Sequence, residues 1–153
     1  MSSSVKCLGD FFTGLVPPEL LRNILVEAEE YTSNLIVVRF NAVCEKQLVR
    51  DVSVAIVYTP GWVSKLVVSI LLGSDVDAGE FITRIYQALI SRQCYVEVSR
   101  EYILVERKLS CRQAEKEKLS KLLEEILGEF GERCEVRYSG DYELVWSQDI
   151  ENI

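Results

Sequence analysis

The sequence predicts an α+β fold with a mainly antiparallel sheet and helices on one face. Strand-like alternating runs outnumber runs with helical spacing. Short links join most neighbouring strands, which favours antiparallel pairing. The length of 153 residues fits a single domain. The predicted order of elements is αβββαββαββ.

The first helix is predicted to begin at Pro17-Pro18-Glu19, because proline is tolerated in a first helical turn and an acidic residue is favourable there. Residues 1–16 show no sustained periodicity, so we expect an irregular N-terminal segment. The domain itself is expected to span 17–148, with a polar tail at 149–153.

Three strands are predicted to follow the first helix. In Asn34–Cys44 one alternating set of residues is wholly apolar, as in a strand with one buried face. Arg50–Thr59 alternates in the same way, and Pro60-Gly61 indicates a turn. Trp62–Leu72 is apolar on both sides after Lys65, which predicts a central strand.

Two helix-then-hairpin units are predicted to complete the domain, at 77–108 and 110–147. Each begins with a capping box, formed by Asp77 with Glu80 and by Ser110 with Gln113. The two hairpins, which begin at Cys94 and Cys134, align at an offset of 40 residues. From Trp62 onward, this order of elements is also that of a ferredoxin-like split βαβ core, which we keep as an alternative.

The order of elements through Phe130 resembles that of the small acidic chaperones of type III secretion and their bacterial relatives of the same fold. The runs Leu66–Leu72, Phe81–Leu89 and Tyr102–Glu106, with the helix after them, carry the resemblance. The hairpin at Cys134–Trp146 departs from that pattern. The resemblance implies a protein that pairs and holds protein partners rather than one that catalyses a reaction.

No catalytic or metal-binding constellation stands out, and we predict neither an enzyme nor a cofactor. Histidine, the commonest general base, is absent, and there is no glycine-rich phosphate loop. The five cysteines include no Cys-x-x-Cys pair, so buried free thiols are the default expectation. Cys111, one residue after a predicted helix cap, leaves a thiol-dependent enzyme as the least favoured function.

The composition predicts an acidic cytoplasmic protein. The net charge is −7, and residues 110–153 hold 11 acidic and 6 basic side chains, which disfavours binding to duplex DNA. The apolar runs are too short to cross a membrane, and we find no signal peptide. The absence of histidine, with few Met, Asn and Gln residues, fits a thermophile.

Two binding functions remain. The first is association with a protein partner or with a second copy in a homodimer, for which the candidate interface residues are Trp62, Tyr142, Trp146 and Arg137. The alternative is binding of single-stranded DNA or RNA on the sheet, where aromatic rings stack on bases and cations contact phosphates. The candidate residues for this alternative are Arg39, Phe40, Lys65, Tyr95 and Tyr138.

Overall fold

The fold is described by a computed structural model over residues 3–31, 33–45, 49–59, 62–73, 79, 87, 95–98, 102–110, 118–128 and 133–145. Its elements, in chain order, are α1 (Ser3–Phe12), α2 (Pro18–Glu30), β1 (Leu35–Cys44), β2 (Val49–Thr59), β3 (Trp62–Leu72), β4 (Tyr95–Val98), β5 (Tyr102–Ser110), α3 (Leu119–Gly128) and β6 (Cys134–Val145). The predicted α+β class with a mainly antiparallel sheet is confirmed.

The described strands form one sheet in the order β4-β5-β3-β2-β1-β6, in which every neighbouring pair is antiparallel. Strand β5 lies between β3 and β4, as in a split βαβ unit. A ferredoxin-like core would also place β6 beside β3, but β2 and β1 lie between them. The ferredoxin-like alternative is therefore wrong for the last strand.

Helices α1, α2 and α3 share one hydrophobic core with one face of the sheet. Alternate residues of the central strands point into this core, because side chains in a strand alternate between its two faces. The strand residues buried there are Ile36, Val38, Phe40, Cys44, Val49, Val52, Val54, Ile56, Tyr58, Leu66, Val68, Ile70, Leu72 and Val105. This burial confirms the apolar alternation predicted for β1 and β2.

Helix α1 occupies the N-terminal segment that we predicted to be irregular. Its apolar residues recur at helical spacing, and they are buried: Cys7, Leu8, Phe11 and Phe12. The Phe12 ring stacks on that of Phe40, with centroids 6.5 Å apart. Just beyond the helix, Gly14 has a φ of +91°, a conformation that glycine adopts readily at helix ends. The pattern spans barely two turns after a run of serines, so it gave too weak a periodicity to recognise.

The predicted hairpin at Cys134–Trp146 is a single strand, β6, as far as Val145. Residues 134–138 pair with Phe40–Cys44, and residues 142–145 pair with Leu35–Val38. Ser139-Gly140-Asp141 form a bulge rather than a turn, and Gly140 takes a φ of +88° there. The local turn signal is overridden because β1 is long enough to pair on both sides of the bulge. The two predicted units are therefore not structural copies.

Disulfides correct the expectation of free thiols. Cys44 and Cys134 lie directly opposite each other in β1 and β6 and form a disulfide across 90 residues of sequence. Cys7 is also disulfide-bonded. The register between β1 and β6 is a tertiary property, and cysteine spacing alone does not reveal it.

Several predictions fall outside the described residues, among them the helix from Asp77, the thiol of Cys111, the ring of Trp146 and the tail at 149–153. Ser110, predicted to cap a helix, is the last residue of β5 and lies opposite Trp62. Within the described part of the chain, no helix combines the length and apolar character needed to span a membrane.

Candidate protein-association surface

The sheet face opposite the helices is the main candidate site, and we refer to it as the open face. None of the described helices packs on it, since all three belong to the core on the other side. Its apolar residues are partly exposed, in contrast to their buried neighbours in the same strands. They include Leu35, Val37, Ala55, Val57, Val67, Leu71 and Leu104.

An apolar row crosses the three central strands of the open face. Val37 lies opposite Ala55, and Ala55 lies opposite Val67. The five longer strands, at about 4.8 Å spacing and over seven residues, cover roughly 600 Å². A typical protein–protein interface buries about 800 Å² on each partner. The open face is therefore large enough to hold a protein segment or most of a standard interface.

Charged residues border this apolar row at both ends. Val67 lies opposite Glu106 of β5, and Val37 lies opposite Glu143 of β6. Lys65 Nζ lies 2.7 Å from Glu106 Oε1, and Arg39 Nη2 lies 3.5 Å from Glu143 Oε2. An apolar centre with a polar, solvent-accessible rim is the usual anatomy of a protein-binding surface.

A polar depression of about 660 Å³ lies beside the apolar row, next to the β6 bulge. Ser53 and Ser69 are paired across β2 and β3, and these small side chains lower the surface there. Arg39 lies at the rim, where Nη1 is 3.3 Å from Asp141 Oδ2. Asp51 adds a further exposed carboxylate. The depression therefore suits a basic or hydroxyl-bearing group better than an anion.

Among the side chains that the structure describes, those on the open face carry an acidic excess. The basic side chains that the structure describes there are Arg39, Lys65 and Arg137. The acidic ones, more numerous, are Asp51, Glu106, Glu135, Asp141 and Glu143. The described ion pairs engage each of the three cations with a carboxylate of the same chain. Electrostatic complementarity thus favours a partner that brings basic groups.

The three predicted interface residues that lie in the described part of the chain do not form one patch. Arg137 is exposed on β6, where Nε and Nη2 each donate to Glu135 at 3.0 Å. Tyr142 lies on the helix side of β6, and its hydroxyl donates to Glu27 Oε2 of α2. This hydrogen bond to a carboxylate raises the pKa of Tyr142 to about 12. Trp62 begins β3, three strands away from β6 in the sheet.

The nucleic-acid candidates are divided between the two faces of the sheet. Arg39 and Lys65 lie on the open face, whereas Phe40 is buried among the helices with 1% of its surface exposed. Tyr138 packs edge-on against Phe40, with ring centroids 6.3 Å apart. The expectation that Phe40 stacks on bases is wrong, because strand alternation points its ring into the core. Tyr95 begins β4, opposite Glu106.

The described residues hold no group of three or more Cys, Asp or Glu side chains placed to bind a metal ion. One buried polar pair, Ser33 Oγ and Tyr58 Oη at 2.6 Å, joins the end of α2 to β2. Burial is the main cause that raises the pKa of the Tyr58 hydroxyl. This pair is a structural contact inside the core.

The predicted placement of helices on one face implied an uncovered second face, but sequence reasoning did not identify the apolar row on it, because Trp62–Leu72 was assigned only as a central strand. The signal that could have found the face was present in β1 and β2, where the second alternating set mixes small, apolar and polar residues. Comparison of the chain with protein-family models, curated proteins and solved structures finds no significant match.

Proposed function

We propose that this chain is a non-enzymatic protein-association module, adaptor or chaperone-like in character, that holds a protein segment on its open face. The observation that carries the proposal is the row Val37–Ala55–Val67, which is apolar and partly exposed, with Glu143 and Glu106 at its ends. Covering apolar surface yields about 25 cal/mol for each Å² removed from water. Partner binding would supply that burial on the face that the described helices leave uncovered.

The partner segment is expected to have an apolar centre flanked by basic residues. The apolar row would pack against apolar side chains of the partner. The carboxylates of Glu106 and Glu143 would pair with cations that flank this apolar centre in the partner sequence. Asp51 and the two serines of the depression offer acceptors for a further lysine or arginine. Such a segment also fits the partner-holding role that the resemblance to secretion chaperones implies.

Labelled peptides test this proposal by fluorescence anisotropy. One peptide has a Val/Leu centre flanked by lysines, and its control has the same centre flanked by glutamates. We expect the lysine-flanked peptide to bind at least about tenfold more tightly, from the charge complementarity of the rim. Equal binding of both peptides would remove the electrostatic part of the proposal, and no binding of either would contradict the whole.

Two valine substitutions locate the peptide on the molecule. Val67→Lys places a charge in the apolar row, and we expect it to abolish binding of the lysine-flanked peptide. Val26→Lys is the matched control, because Val26 is 51% exposed on α2, on the helix side of the sheet. Loss of binding in the control but not in Val67→Lys would place the binding site elsewhere.

Single-stranded nucleic acid remains the second candidate, supported by the presence of Arg39 and Lys65 on one face. Both cations already pair with carboxylates, and the face carries an acidic excess, so we expect no binding of a labelled single-stranded oligonucleotide at low salt. Binding that weakens steeply as salt is added would favour this second function over the first.

The disulfides bear on the compartment in which the protein works. Disulfides are rare in the cytoplasm of mesophiles and common in intracellular proteins of hyperthermophiles. We keep the cytoplasmic location as a proposal, and in that compartment the Cys44–Cys134 bond, like the few Met, Asn and Gln residues, fits a thermophile. The expected observation is a melting temperature above about 90 °C, and a value near about 50 °C would contradict this assignment.

A further inference from the structure

The two edges of the sheet differ in a way that points to a specific interface. At one edge, β4 has four residues, and a short edge strand is a common guard against unwanted pairing. At the other edge, β6 has 12 residues and is the longest described strand. No strand of the described residues pairs with the outer side of β6. A long edge strand can serve as a template for another strand.

This edge is fixed to the fold at two places. The Cys44–Cys134 disulfide ties the first residue of β6 to β1. Beyond the bulge, the Tyr142 hydroxyl donates a hydrogen bond to Glu27 of α2. Binding to an ordered strand costs less conformational entropy than binding to a frayed one. The β6 edge is therefore preorganised for pairing.

The backbone groups of the first half of β6 point outward at alternate residues. Glu45 N–H donates to Arg133 O, so residues 45 and 133 are a hydrogen-bonded pair. Pairs alternate between hydrogen-bonded and non-hydrogen-bonded along an antiparallel ladder. Cys134, Val136 and Tyr138 are then non-hydrogen-bonded with β1, and their N–H and C=O groups face the free edge.

We propose that two copies of the chain form a homodimer by antiparallel pairing of β6 with β6, with Gly140 at the two-fold axis. When two identical strands pair antiparallel about a two-fold axis, the sequence numbers of any two opposing residues add up to the same value. A register centred on Gly140 places Arg137 opposite Glu143 of the second copy, twice by symmetry. It also leaves Glu135 opposite Val145 rather than opposite another acid.

The neighbouring registers are disfavoured because each places like charges opposite each other, which destabilises a sheet. Shifting the centre by one residue in one direction sets Glu135 opposite Glu143, and in the other direction it sets Asp141 opposite Asp141. Larger shifts pair Glu135 with Asp141, Arg137 with itself, or Asp141 with Glu143. The charge pattern of β6 therefore selects the register centred on Gly140.

The helix side of β6 matches in the same register. Val136 comes opposite Leu144 of the second copy, and Tyr138 comes opposite Tyr142, all of which are partly exposed in the single chain. At the axis the two bulges meet at Gly140, which has no side chain to obstruct the approach. The paired sheets become one sheet of 12 described strands, with both open faces on the same side.

This inference deepens the proposed function, because the dimer would present two adjacent open faces to partners, but it is tested separately. Size-exclusion chromatography with light scattering measures the mass, which we expect to be twice the 17.4 kDa of the chain. Arg137→Glu and Glu143→Arg each create two like-charge pairs, and we expect each to raise the dimer Kd at least about tenfold. The double variant R137E/E143R restores opposite charges and should restore the dimer.

Two controls separate the interface from its surroundings. Glu135→Gln removes the partner of Arg137 within the same chain and should leave the dimer intact. An intact dimer in this variant would show that the Arg137→Glu effect does not come from loss of the Glu135–Arg137 ion pair. Val67→Lys should abolish peptide binding while the mass stays that of a dimer, so the two proposals fail independently. A monomeric wild-type protein would show that the bulge and charges guard the edge and would overturn the inference. Failure of the double variant to restore a dimer that both single variants disrupt would overturn the register.

Discussion

The two faces of the sheet are built by the same strands, yet one face is the core and the other is a surface. In β1, Ile36, Val38 and Phe40 are at most 1% exposed, whereas Leu35 and Val37, which alternate with them, are partly exposed. The helix side is closed by α1, α2 and α3, and its substitution should cost stability. The open side is closed by none of them, and its substitution should cost binding. This contrast yields a series of predictions that begins with the largest expected effect.

Phe40→Ala is expected to cause the largest loss, about 3–5 kcal/mol in the free energy of unfolding, from lost burial and the cavity left behind. The ring is buried and contacts both Phe12 and Tyr138. Urea denaturation measures the effect. Val43→Ala, in the same strand at 62% exposure, is the control and should change stability by less than about 0.5 kcal/mol. Similar losses in both variants would erase the contrast between core and surface.

Removal of the Cys44–Cys134 disulfide is expected to cost about 2–5 kcal/mol, because the bond closes a long loop in the unfolded chain. The variant C44A/C134A, compared with wild type by urea denaturation without reductant, gives this value. A reductant should lower the stability of the wild type by more than that of the variant. Equal stability of the two proteins in the absence of reductant would show that β6 does not depend on this covalent tie.

Tyr142→Phe measures what a single hydrogen bond contributes to stability on the helix side of β6, because it removes the bond to Glu27 and keeps the ring. We expect a loss of about 1 kcal/mol at neutral pH. The pKa of Tyr142 is raised from 10.0 to about 12, so this stabilisation is complete below pH 10 and is lost as the pH rises from 10 to 12. The difference in stability between wild type and variant should therefore shrink over that range. A constant difference would contradict the role of the hydroxyl.

Arg39→Gln on the open face is expected to have the smallest effect, about 0–1 kcal/mol. The guanidinium pairs with Asp141 and Glu143, but its side chain is 43% exposed, and water screens such pairs. Thermal denaturation at low and high salt measures the change, which should diminish as salt is added. A loss above about 2 kcal/mol would show that the open face is part of the stabilising core.

The sequence was informative where structure depends on local periodicity. The alternation in β1 and β2 corresponds to strands of the fold. The sequence failed where distant residues decide the outcome. The turn-like Ser139-Gly140-Asp141 became a bulge because β1 pairs with β6 on both sides of it. The buried position of Phe40, by contrast, follows from local alternation, since its ring belongs to the apolar set of β1.

The apolar row of the open face could not be assigned a role from the sequence for a related reason. After Lys65, β3 is apolar at every position except Ser69, which favours burial on both sides, but this pattern does not say whether a helix or another protein covers the second side. Helix α1, unrecognised at first, proved to pack with α2 and α3 on the helix side. The sequence thus predicted the layers of the fold better than the surface that remains for binding.

Hydroxyl-radical footprinting with and without the bound lysine-flanked peptide tests the central claim most directly. In the free protein, the open-face residues Leu35 and Leu71 should oxidise faster than the buried Phe40. On binding, we expect the open-face residues to become protected, while Leu20 of α2, 44% exposed, keeps its rate. Protection of α2 with no change on the open face would contradict the claim that this face is the association surface.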